Sequence, residues 1–80
     1  MSQKKKRVPL LNPDTGRVLS IGDGVVRAEG LFNVQVGELV IFQSDLRGLV
    51  LNLEKNNVGI VIFGDDQKVR ENDFVFRGYE

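Results

Sequence analysis

Apolar and polar residues alternate in short runs along most of this chain, and turn-forming residues bound each run. Residues 17–21 set Leu19 and Ile21 against Val18 and Ser20. Residues 25–29 set Val26 and Ala28 against Val25, Arg27 and Glu29. In 39–43, Leu39 and Ile41 oppose Val40 and Phe42. In 47–53, Leu49, Leu51 and Leu53 share a face opposite Gly48, Val50 and Asn52. Residues 58–63 place Val58, Ile60 and Ile62 against Gly59, Val61 and Phe63, and 74–77 put Phe74 and Phe76 together. A period of two over such runs predicts strands. Turns are expected at 12–16, at Gly22-Asp23-Gly24, from Ser44-Asp45, at Glu54-Lys55-Asn56 and at Gly64-Asp65-Asp66. Asn72 is expected to be a left-handed turn residue. No window carries the period of a long amphipathic helix, and Gly48 interrupts the one that comes nearest.

Six strands packed this densely predict an all-β fold, a small closed six-stranded antiparallel β-barrel. Closure removes exposed edges, which matters because 34–42 and 60–63 are apolar enough to aggregate as free edges. The expected core includes Ile21, Val26, Leu51, Ile60 and Ile62, with the Phe residues mostly in alternating core positions.

The chain has 80 residues, room for one domain. It has no Cys and no His. That removes disulfides, thiol nucleophiles, His-dependent triads and nearly every zinc site. The net charge of zero hides an asymmetry: Lys4, Lys5, Lys6 and Arg7 precede a body with seven basic and eleven acidic residues. Residues 1–14 therefore read as a short, flexible, disordered basic arm ending in a turn, with the barrel over 15–80. Residues 1–12 are expected to be mobile and removable, so that deleting Met1–Arg7 leaves the melting temperature nearly unchanged. Its cations suit a solvated tail, with a polyanion contact or an import signal as alternatives. An acidic body is a poor general nucleic-acid binder. No apolar run has the length of a membrane helix, and the N-terminal charges are not followed by the apolar stretch of a secretory signal.

Candidate chemistry is sparse. Gly22-Asp23-Gly24 opens a strand rather than a helix, and no Lys-Ser or Lys-Thr follows a glycine, so neither a dinucleotide fingerprint nor a P-loop is present. Asp65-Asp66 lacks the spacing of an oxygen cage and reads as a turn. The carboxylates show no acid–base spacing. No catalytic residue, cofactor site or metal site is expected.

Residues 30–38 are unusual. They form a connection, yet Leu31, Phe32, Val34 and Val36 are large and apolar where connections are normally polar. The segment either plugs a barrel end or offers an apolar contact to a neighbour. Leu31, Phe32 and Val34 are the candidate subunit-interface residues.

The string from Gly16 to Arg27, with Gly30-Leu31, Asn33-Val34-Gln35 and Gly37-Glu38, resembles the N-terminal domain of the F-type ATP synthase alpha subunit. So do Leu46-Arg47-Gly48, Leu51-Asn52-Leu53-Glu54, the run from Asn57 to Gly64, and Val69-Arg70-Glu71-Asn72-Asp73. The resemblance covers about residues 15–77. The related beta subunit typically has Gly-Pro in place of Asp23-Gly24 and lacks the Asn-Leu-Glu and Asn-Val-Gly strings. Phe32, Val36, Ile41 and Asn72 depart from the family pattern, as does Arg77-Gly78-Tyr79-Glu80.

The resemblance implies a six-stranded barrel in a crown ring of alternating alpha and beta subunits. Its partners would be beta-subunit barrel domains in a hexameric ring, with no nucleic acid and no direct membrane insertion. Its role would be structural, in a complex that makes ATP by proton transport. The complex would lie at the mitochondrial inner membrane, matrix side, or alternatively at the bacterial cytoplasmic membrane. In the family, nucleotide binds a later P-loop domain, so no cofactor is expected here. A rival expectation is a stand-alone barrel for single-stranded nucleic acid, which needs a basic groove and exposed aromatic residues.

Overall fold

The computed structural model describes residues 12–78. Its strands are β1 (Thr15–Gly22), β2 (Val25–Gly30), β3 (Leu39–Phe42), β4 (Arg47–Leu53), β5 (Val58–Phe63) and β6 (Phe74–Arg77). All neighbours are antiparallel, and the order β1-β2-β5-β4-β3-β6 closes on itself. The expected closed six-stranded antiparallel barrel is the fold. Most of the arm, and the expectations of its disorder and of its removal without loss of stability, lie outside the described residues.

The turns form where the local chemistry places them. Asp23 and Gly24 take φ of 56° and 77° between β1 and β2, the left-handed pair that a two-residue hairpin demands. Asn72 is left-handed, with φ 74°. At Glu54 the backbone N–H donates to the Asn57 carbonyl at 2.8 Å and closes the β4–β5 turn. The expected turn at Asp65-Asp66 is instead a short 3-10 turn over Asp66–Lys68. Asp65 caps it by accepting from the Gln67 N–H.

Two connections cross opposite ends of the barrel. Residues 31–38 carry the chain from β2 past β5 and β4 to β3 and bring Leu31 and Val34 into the core. Residues 64–73 join β5 to β6 and contribute the buried Val69.

The inner wall is mainly valine. Val18, Val26, Val40, Val50, Val58 and Val75 are buried, joined by Ile60 and Ile62. Branched side chains of this size suit the pleated interior of a narrow barrel. Among the described residues Phe42 is the one large aromatic inside, and Gly48 makes room for it. A Cβ at Gly48 would stand 3.1 Å from Phe42 Cε2 and 2.7 Å from Ile60 Cγ2.

Val26, Ile60 and Ile62 are buried as expected, and Ile21 is half-buried against the core. Leu51 is not part of the core and is 53% exposed. The pairing of β4 with β5 shifts between Val50 and Asn52, and Val50 rather than the leucines points inward. A second bulge between Val18 and Ser20 breaks the expected alternation in β1. It leaves Val18 inside, with Leu19 and Ser20 outside. A bulge inserts one residue and reverses the phase beyond it. The Phe residues also differ from expectation. Phe32, Phe63, Phe74 and Phe76 are exposed, because Val75 takes the inward position of β6 and Ile62 that of β5.

Candidate functional site

The expected interface residues separate into two kinds. Leu31 and Val34 are buried in the lone barrel, which makes them a plug for that end. Leu31 reaches the core with φ 53°, directly after Gly30 at φ 83°. Phe32 points the other way and is 81% exposed. A shallow cavity of about 180 Å³ lies between residues 30–34 and the β4–β5 turn, lined by Phe32, Leu53, Lys55, Asn57 and Val58 among others. It is open and mixed in polarity, and no charged side chain is buried in it.

Polar ties fix this end of the barrel. Arg27 on β2 donates from Nη1 to Glu54 Oε2 and to Asn57 Oδ1, both at 3.1 Å. Asn52 donates to the same Glu54 oxygen at 3.0 Å. The Asn52 side chain also lies directly over Gly59, where a Cβ would displace it. Arg77 at the end of β6 reaches Glu38 Oε2 at 3.2 Å and Asp14 Oδ1 at 3.5 Å. The Glu38 hydrogen bond, helped by Asp14, holds its guanidinium pKa above the ordinary arginine value. Asn33 donates to Asp14 Oδ1 at 3.2 Å. At the opposite end, the Gly24 N–H donates to Asp66 Oδ2 at 3.0 Å.

Among the described residues no three His, Cys, Asp or Glu converge on a point where a metal could sit. No polar or charged side chain is buried among them. Asp65 serves as a cap, and Asp14, Glu29, Glu38 and Glu54 are partners of arginines.

The exterior carries what the sequence reading missed. The outer wall of β1 and β2 is largely polar, with Arg17 paired to Glu29 at 3.2 Å and Arg27 paired to Glu54. The outer wall of β6, β3, β4 and β5 presents Phe74, Phe76, Ile41, Leu49, Leu51 and Phe63. The Phe74 and Phe76 rings lie 6.4 Å apart, tilted by 32°. The sign of this wall in the sequence is that β3, β4, β5 and β6 carry apolar residues on both alternating faces. One face then has to lie outside a closed barrel.

Residues 14–77 match the ATP synthase alpha/beta family, beta-barrel domain. The chain belongs to this family. The match runs from the Asp14 turn through β6 and includes both crossing connections. Membership implies association within an ATP synthase alpha/beta assembly, a membrane-associated complex. Among the described residues, the apolar outer wall is a surface with the composition of a protein contact.

Proposed function

We propose that this barrel is the non-catalytic assembly domain of an ATP synthase alpha subunit. In this reading it forms part of a crown ring of alternating alpha and beta barrels and holds one end of each subunit fixed during proton-driven ATP synthesis. The observation that carries the reading is the placement of the alpha-like strings. Asp23-Gly24 forms the left-handed β1–β2 turn. Asn52, Glu54 and Asn57 gather around Arg27 in one network. The motifs that separate alpha from beta subunits are thus structural parts of the barrel.

The reading gives the chain no ATP hydrolysis of its own and no cofactor. It places the assembly at the mitochondrial inner membrane on the matrix side, with the bacterial cytoplasmic membrane as the alternative. Mixing the chain with a purified ATP synthase beta subunit and measuring association by sedimentation tests it. A complex is expected, and the absence of association at tens of micromolar would contradict the reading.

Exposed aromatic residues remove one objection to a single-strand-binding barrel. Such a surface also needs a basic groove. The aromatic wall has Arg47 amid leucine and isoleucine, so the observations favour a protein partner.

A further inference from the structure

Four side chains stand in one row across four adjacent strands on the outside of the barrel. Phe76 is in register with Ile41, Ile41 with Arg47, and Arg47 with Phe63. Phe76, Arg47 and Phe63 are exposed, and Ile41 is half-buried. The neighbouring row, Leu39, Leu49, Val61 and Val25, is half-buried and wholly apolar.

The charges divide the two walls. On β1 and β2, Arg17 and Arg27 each have a carboxylate. Arg47 sits between Ile41 and Phe63 and makes no ion pair among the described residues. In water this costs nothing. Beneath an apolar partner, an unpaired guanidinium would be strongly unfavourable.

We infer that the Phe76–Ile41–Arg47–Phe63 row docks a neighbouring barrel of the same family, and that the neighbour meets Arg47 with a carboxylate. The inference rests on the assembly reading above and adds which wall makes the contact. Two observations carry it. Every strand of the closed barrel has a hydrogen-bonded neighbour on both sides, which leaves only short stretches of edge free, so a partner must dock mainly through side chains. Aromatic residues and arginine, with few other charges, are what contact centres are built from. A standard contact takes about 800 Å² from each partner, roughly a sixth of the 4891 Å² total.

The test uses the full 80-residue chain, with a purified ATP synthase beta subunit as the probe and affinity read by surface plasmon resonance. Arg47→Glu and Phe63→Ser should each raise Kd at least about tenfold, with melting temperatures close to that of the unsubstituted chain. Arg47→Lys should recover part of the loss, because it restores the charge. Arg17→Ala, on the ion-paired wall, should stay within about twofold. Unchanged binding by Arg47→Glu and Phe63→Ser would overturn the row while leaving the assembly reading intact. So would an equal loss in Arg17→Ala. Failure of the unsubstituted chain to bind either the beta subunit or itself would overturn the assembly reading and the row together. Self-association that Arg47→Glu abolishes, without binding to the beta subunit, would overturn the choice of partner.

Discussion

Leu31 fills space that Gly16 leaves open. A Cβ on Gly16 would lie 2.7 Å from Leu31 Cγ and closer still to the Glu29 carbonyl oxygen, and Gly16 is in register with Gly30, the residue before Leu31. Gly30 and Leu31 are both left-handed, which turns the chain inward over the end of the barrel. The Leu31 N–H then donates to the Thr15 carbonyl at 3.1 Å. Gly16→Ala should therefore destabilise the barrel by about 1–3 kcal/mol, the usual cost of overpacking. Urea denaturation followed by far-ultraviolet circular dichroism measures this. An unchanged midpoint would show that Leu31 is not seated against Gly16.

The two halves of the apolar connection should respond differently. Leu31→Ala empties a buried site and should cost about 2–5 kcal/mol. Phe32→Ser, at an exposed position, should leave stability within about 0.5 kcal/mol. The same denaturation experiment measures both, and a cost above about 1 kcal/mol for Phe32→Ser would make Phe32 part of the plug.

Ile60 and Leu51 test which faces point inward. Ile60→Ala should cost about 2–5 kcal/mol. That approaches the entire stability, about 5 kcal/mol, of so small a domain, so the variant should be largely unfolded in a one-dimensional proton spectrum. Leu51→Ala should stay below about 1 kcal/mol and retain native dispersion. An unfolded Leu51→Ala together with a folded Ile60→Ala would reverse the orientation of β4 and β5.

The chain should bind no nucleotide tightly. It has no P-loop, and among the described residues no buried charged group is available to hold phosphate. Calorimetric titration with ATP should show no binding at micromolar concentrations, and a micromolar Kd from contaminant-free protein would contradict this.

The candidate interface was partly legible in the sequence. Residues 30–38 stand out as apolar for a connection, but composition does not show that Leu31 and Val34 turn in while Phe32 turns out. The split follows from backbone dihedrals at Gly30 and Leu31. The outer wall was less legible still. Phe74 and Phe76 looked like core residues, because size and hydrophobicity are the same on either face of a strand.

The sequence by itself determined the six strands, most of their turns and the closure of the sheet. Alternation and turn chemistry are local, and each is set within a few residues. Only the tertiary structure decided which face of each strand is inside. The bulges between Val18 and Ser20 and between Val50 and Asn52 reset the phase through pairing with distant strands. The volume of the barrel decided the rest. Six strands enclose space for valine and isoleucine, and for Phe42 and Leu31 only where Gly48 and Gly16 give way. The remaining leucines and phenylalanines of β4, β5 and β6 stay outside because a filled interior leaves no room for them.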